Sequence, residues 1–471
     1  MIRRMRKILL LIIIMLMACR FSAPSPVFAP AVTVRPEPNF RVITHPDGAL
    51  YVGDLVSFEV FSPTGVSVSG QRVRINRGDK SLGETSFQPS GLGARSQATF
   101  YWAWDTRGLE AGTYTLTFSL PVGNTRWDEK ITLLPAAAIP LPEPKARWES
   151  VNTDCCVIHY ISGTDAEADI ETLKRMAAAQ AVDVEARLNN KFDKKTPLTF
   201  LPRVLGHGGF TSDGIYVTYL RQNYAGSTAQ QVTHHEMVHW LDAQMGGDQR
   251  PSVLQEGLAV YMSDGHFKVE PILPRAAALL DLGLFIPLRQ LSDSFYATQH
   301  EIGYVEAAAL ISYLTATYGP DEFNSFYRDI HSAPGNSQAD MLDSALQMHF
   351  KISLAQLEQN FIAFLQQQAI GETDRADLRL TVAFYDTVRR YQRVLDPSAY
   401  FLTAWLPNAP EMRSRGIVAD FVRHPHAAVN QELERLLASS DASLRVGNYI
   451  AAEAGIRAVN LTLDVLEKWQ K

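Results

Sequence analysis

Residues 232–261 read VTHHEMVHWLDAQMGGDQRPSVLQEGLAVY, and this stretch decides how the rest of the chain is organised. Within it, His235-Glu236-Met237-Val238-His239 makes an H-E-x-x-H pattern, and sixteen residues separate His239 from Glu256. The pattern predicts a helix over 228–243 with Val232, His235, Val238, His239 and Asp242 along one side, stopped by Gly246-Gly247. Positions i and i+4 lie one above the other on a helix, so both imidazoles can reach one ion while Glu236 stands beside an open coordination position. Residues 248–251 then read as a turn and Ser252 as an N-cap. Leu254, Leu258 and Tyr261 form the apolar stripe of a second helix, which carries Glu256 in its early turns. Two histidines, a glutamate and a water are a common catalytic zinc set, because three protein ligands leave one position for chemistry. The expectation is one zinc ion per chain on His235, His239 and Glu256.

The pair His235-Glu236-Met237-Val238-His239 and Leu254-Gln255-Glu256-Gly257-Leu258-Ala259-Val260-Tyr261 resembles the gluzincin metallopeptidases, most closely the bacterial peptidase MA-like group, with thermolysin and the zinc aminopeptidases as wider relatives. The resemblance covers roughly residues 145–368. A metzincin would need a third histidine soon after His239, where this chain has Trp240, Leu241 and Asp242. The resemblance implies an α+β catalytic domain in which Glu236 is the general base and the segment 215–219 edges the cleft as a strand for an extended peptide. Gly303-Tyr304-Val305-Glu306-Ala307-Ala308 resembles the aminopeptidase segment whose tyrosine supports the tetrahedral intermediate, so Tyr304 is the implied catalytic hydroxyl, with His300 a weaker substitute. The family's usual Lys-Gly is Ala307-Ala308 here. The aminopeptidases' Gly-x-Met-Glu-Asn-like segment is not matched by residues 208–218, which favours an endopeptidase.

Chemically, zinc would bring the pKa of a bound water toward about 7, and Glu236 would take its proton and pass it to the leaving amine. The expected reaction is hydrolysis of peptide bonds in a peptide or protein substrate. Two alternatives stay open: a cell-surface binding protein whose metal site is structural or vestigial, and a zinc amidase acting on cell-wall peptides. His234 points about a quarter turn from the ligand face and is not expected to bind metal. His207, in the Gly-rich run 206–210, reads as a solvated loop residue. Asp242 reads either as a carboxylate orienting an imidazole or as a solvated helix end.

The flanking sequence gives a multidomain chain. Residues 1–19 join Arg3, Arg4, Arg6 and Lys7 to a short apolar run, the composition of an export signal; Leu16-Met17-Ala18-Cys19 resembles a lipobox, which would anchor the protein to a membrane through Cys19, the alternative being a signal peptide cut near Ala29 or Ala31 and a secreted protein. Residues 20–39 form a Pro-rich tether. Residues 40–135 hold short alternating runs at 41–44, 55–61, 71–76, 98–104, 113–120 and 130–134, expected to form a β-sandwich, and Trp104-Asp105-Thr106 with Gly112-Thr113-Tyr114 resembles immunoglobulin-like domains. Residues 136–145 are a Pro-rich linker expected to hold the sandwich apart. Residues 146–370 are the peptidase unit, with strands at 157–161 and 197–202 and a helix over 166–189. Residues 371–471 are helical, with Leu433, Leu436, Leu437, Val459, Leu461, Val465 and Leu466 as buried faces. Of the three cysteines only Cys155 and Cys156 follow Cys19, so disulfides do not build the fold. A net charge of −6 supplies no basic face for nucleic acid.

Overall fold

A computed structural model describes residues 40–91, 97–121, 125–247, 250–331, 335, 337–399 and 409–469. The expected export signal, Cys19 and the tether lie outside the described residues, as do residues 248 and 249 of the turn at 248–251.

Eight strands occupy the N-terminal part: β1 (Arg41–His45), β2 (Leu50–Tyr51), β3 (Leu55–Phe61), β4 (Arg72–Arg77), β5 (Lys80–Ser86), β6 (Thr99–Asp105), β7 (Gly112–Leu120) and β8 (Thr125–Leu134). They form one sheet ordered β1-β3-β6 and another ordered β2-β8-β7-β4-β5. Alternation along each strand sends one set of side chains inward, so Val56, Phe58 and Val60 of the first sheet share a core with Ile75, Leu116 and Phe118 of the second. The six alternating runs lie on strands except at Gln71 and Ala98, each one residue ahead of its strand. β2 and β5 were not foreseen, because β2 is two residues long and β5 reads KSLGETS, with a single large apolar side chain to reveal its period.

The next five strands are β9 (Trp148–Asn152), β10 (Cys156–Ile161), β11 (Thr196–Leu201), β12 (Gly209–Thr211) and β13 (Ile215–Thr218), ordered β12-β13-β11-β10-β9. β10, β11 and β13 run parallel, and the strands at the two edges are antiparallel to their neighbours. Burial on both faces explains the apolar runs of the inner strands, where Leu198, Phe200, Ile215 and Val217 are inaccessible. The edge expected at 215–219 is corrected here. β13 is bonded on both sides, and among the described residues β12 is the outermost strand on that side, within a run whose glycines had suggested a loop. Gly209 serves close approach instead: a Cβ there would stand 2.8 Å from the Tyr216 carbonyl oxygen and 3.2 Å from Glu236 Cγ.

Helices cover this sheet and extend it: α1 (Ile170–Leu188), α2 (Ala229–Gln244), α3 (Ser252–Met262), α4 (Ile272–Asp281) and α5 (His300–Tyr318). Thr228 caps α2, its hydroxyl accepting from Gln231 N at 3.2 Å. Ser252 is the first residue of α3 rather than its cap, the position before it being Pro251. α1 ends at Asn189 in the left-handed region (φ 48°). α5 is buried on nearly all sides, as its run of Ala307, Ala308, Ala309, Leu310 and Ile311 requires.

The C-terminal part contributes α6 (Glu372–Leu395), α7 (Ala428–Arg445) and α8 (Tyr449–Trp469). Leu433 and Leu437 are buried as expected. On α8 the buried stripe is Ala452, Ile456, Val459 and Leu463, so Val459 is buried as expected, whereas Leu461 is 56% and Val465 50% exposed, which corrects the expected face at those two positions. That helix has apolar residues on more than one side, and only its packing against α6 and α7 selects among them. Arg423 joins the parts of the molecule: it pairs with Asp54 at 2.7 Å and Glu143 at 2.5 Å, and stacks over the Tyr51 ring. The linker therefore does not hold the sandwich away from the rest. Cys155 and Cys156 form a disulfide between neighbours, which encloses no length of chain. Among the described residues no helix is long and apolar enough to cross a membrane.

Just past the end of α6, Asp396 is fully buried and accepts from Arg203 Nη1 at 3.0 Å, Tyr224 Oη at 2.6 Å and Ser398 Oγ at 2.6 Å, with His207 Nε2 3.5 Å away. His207 is thus an interior residue, contrary to the solvated loop expected, because the main chain at 206–207 turns inward with positive φ at both positions. Burial opposes the charge on Asp396, but Arg203 and His207 outweigh it and hold the carboxyl below the ordinary range. A depressed carboxylate stabilises the fold fully above its unfolded value, about 3.9, and loses that contribution as pH falls below it toward the folded value. Asp396→Asn is therefore expected to cost about 3–5 kcal/mol at pH 7 and to flatten the loss of thermal stability below about pH 4. Unfolding midpoints measured from pH 3 to 7 check this, and an unchanged profile contradicts it.

Candidate metal centre

The site is built where three helices meet. Gly257 on α3 lies against the backbone of α5, so close that a Cβ would be 2.6 Å from the Ala307 carbonyl oxygen. This contact gives Ala307-Ala308 a packing role where the resembled family carries Lys-Gly, and it seats Glu256, the residue before Gly257, opposite α2. One turn of α2 then presents two imidazoles to it. His235 Nε2 and His239 Nε2 are 3.0 Å apart, and Glu256 Oε2 is 3.1 Å from the first and 3.2 Å from the second. The two rings are nearly perpendicular, at 81°.

These distances suit a shared cation. Ligands about 2.0–2.1 Å from a tetrahedral zinc stand about 3.3 Å from one another, and two imidazoles with one carboxylate are a common donor set for that ion. Among the described residues this is the one cluster of at least three His, Cys, Asp or Glu with such convergence.

Burial and mutual charge set the electrostatics of the metal-free cluster. Burial pushes His235 down to about 4, against its hydrogen bond to Glu256. Burial works the same way on His239, but the Glu256 charge wins and raises it to about 9. Glu256 is held well below the ordinary range, because the His239 charge and both imidazole contacts overcome its own desolvation. Glu236 is pushed up to about 7, chiefly by burial. The Thr211 hydroxyl on edge strand β12 donates to Glu236 Oε2 at 2.9 Å and lies 3.1 Å from that residue's carbonyl oxygen.

The remaining sequence candidates take varied positions. Tyr304 stands beside the site, its ring 6.1 Å from that of His235 and stacked at 4.1 Å on His266. His300 lies in the same group of rings, 4.8 Å from Tyr304. His234 faces away, engaged by Asp183 at 2.8 Å and Ser263 at 2.9 Å. Asp242 neither orients an imidazole nor meets solvent. It is buried between Arg250 at 2.8 Å, Arg328 at 2.6 Å and the Tyr327 hydroxyl at 2.9 Å, and so anchors the end of α2.

Three neighbours were not foreseen: Thr211, His266 and Tyr296. His266 pairs through Nδ1 with buried Glu301 at 2.9 Å, which Arg275 also holds at 3.1 Å. The Tyr296 hydroxyl donates to Glu256 Oε1 at 2.6 Å. None lies in a recognisable motif.

No protein-family model matches the chain, and no curated protein matches it in sequence. Among solved structures it is similar to an aminopeptidase N family protein from Idiomarina loihiensis, with 12% identity and a TM-score of 0.26, over 66% of this chain and 77% of that one. A likeness at that level identifies neither fold nor activity.

Gly257→Ala would press a methyl group onto the Ala307 carbonyl, and overpacking of this kind costs about 1–3 kcal/mol. The variant is expected to unfold at a lower temperature and to take up zinc more weakly than the parent. Wild-type behaviour in calorimetry and metal titration would contradict this account of how Glu256 is seated.

Proposed function

We propose that this chain is a zinc-dependent peptidase acting within polypeptide chains. The observation that carries the reading is the convergence of His235, His239 and Glu256 to within 3.2 Å of one another, with Glu236 on the same helix turn as both histidines. These three residues would hold the ion, which when bound supplies Lewis acidity and an activated water at neutral pH.

The chain's own groups do the remaining work. Glu236 is the general base: Thr211 occupies its Oε2, leaving Oε1 to receive the water proton, which then passes to the departing amine. Strand β12 lies directly against α2, which puts the outer strand of this sheet beside Glu236, where an extended substrate would run. Tyr304 is the hydroxyl proposed to steady the developing oxyanion, on the strength of its place next to His235.

In the same reading residues 40–135 are an immunoglobulin-like spacer, 146–370 a gluzincin-type catalytic unit and 371–471 a helical region that backs it. Residues 1–19 would direct export, with a lipid on Cys19 retaining the protein at the membrane surface. Cys19→Ser is expected to shift the protein from the membrane fraction to the soluble exported fraction, and unchanged fractionation contradicts lipidation.

Glu236→Gln is expected to bind one zinc ion per chain as the parent does and to lower turnover of a casein-type substrate by about 100- to 10,000-fold. His239→Ala should lose the metal and the activity together. Undiminished hydrolysis by Glu236→Gln would remove the base assignment, and no hydrolysis of any peptide by the zinc-loaded parent would remove the function.

A further inference from the structure

Tyr296 combines two properties that rarely go together: its residue is 66% exposed, yet its hydroxyl reaches a carboxylate whose side chain is only 10% exposed. That hydroxyl donates to Glu256 Oε1 at 2.6 Å, while Glu256 Oε2 is the oxygen facing both imidazoles. The two carboxylate oxygens are therefore divided between a fixed hydrogen-bond donor and the metal position.

The tyrosine is not free to drift. It sits in the short turn Phe295–Ala297, whose first residue is buried and packs edge-on against both Tyr296, at 5.3 Å, and Tyr304, at 5.0 Å. Thr298 Oγ1 donates to the Phe295 carbonyl at 2.6 Å, and the lack of a side chain at Gly303 leaves room for that hydroxyl.

Resting on the metal-site reading above, we propose that Tyr296 is a positioning residue for Glu256: it engages Oε1 so that Oε2 alone is presented to the ion. A ligating carboxylate without such a donor can swing or use either oxygen, and loss of an outer partner of a metal ligand typically weakens affinity by about 10- to 100-fold. Tyr296 acts through Glu256 rather than on the reacting atoms.

The test is zinc affinity of the full chain, measured by competition with a chromophoric chelator, for the parent, Tyr296→Phe and Tyr304→Phe. Removing the hydroxyl withdraws a donor from the buried Glu256 carboxylate, so the metal-free unfolding midpoint of Tyr296→Phe is expected to fall, and zinc affinity is compared at a temperature where all three proteins are folded. Tyr296→Phe is expected to bind zinc about 10- to 100-fold more weakly than the parent, while Tyr304→Phe keeps parental affinity. Zinc affinity within twofold of the parent for Tyr296→Phe overturns the proposal, whether or not its kcat falls. An equal loss in both variants also overturns it, because it would reflect ring packing rather than the hydroxyl on Glu256. If the parent itself binds no zinc, the metal-site reading fails first, and that result is distinct from either outcome.

Discussion

Two imidazole nitrogens and a carboxylate oxygen are held within about 3 Å of one another in a largely enclosed position between helices. Ionisable groups brought together out of water are costly unless a proton or a cation is shared among them. In the metal-free cluster burial lowers His235, whereas the Glu256 charge outweighs burial at His239 and raises it. A divalent ion relieves the conflict more completely, by giving all three donors one partner.

Much of the surrounding fold can be understood as what holds those three atoms in place. The Gly257–Ala307 contact sets the distance of α3 from α5, and hence where Glu256 stands. The buried Asp242, with Arg250, Arg328 and Tyr327, ties down the far end of α2. On the opposite side, β12 presses its Gly209 against Val232 and Glu236, so this strand and the proposed base are packed directly together. The C-terminal helices add a back wall: Asp377 of α6 meets Arg275, which in turn holds Glu301 beneath His266. The helical tail is thus continuous with the site's support.

What the sequence made legible follows a physical rule. Side chains one turn apart on a helix face are a local property, so the convergence of His235 and His239 and the placement of Glu236 could be read from spacing alone. Glu256 required a turn and a second helix, still short-range. The β-sandwich strands with clear alternation were equally visible, while the polar β5 was not. Features that exist only through tertiary contact escaped. Gly209 reads as loop until Glu236 is seen packed against it, and His207 reads as solvated until Asp396, nearly two hundred residues away, closes over it. Tyr296 belongs to no motif, and its importance comes from a single hydroxyl reaching a residue forty positions earlier. The α8 stripe was misjudged because a helix with apolar residues on several sides leaves the buried face to its neighbours.

The most direct test of the central claim is X-ray absorption at the zinc edge of the stoichiometrically loaded protein. The account predicts a first shell of nitrogen and oxygen only, about 2.0–2.1 Å from the metal, with the outer-shell scattering of two imidazole rings and no sulfur. A shell containing sulfur, or one lacking the two-imidazole signature, would mean that His235, His239 and Glu256 do not hold the ion, and the hydrolytic reading built on them would be contradicted.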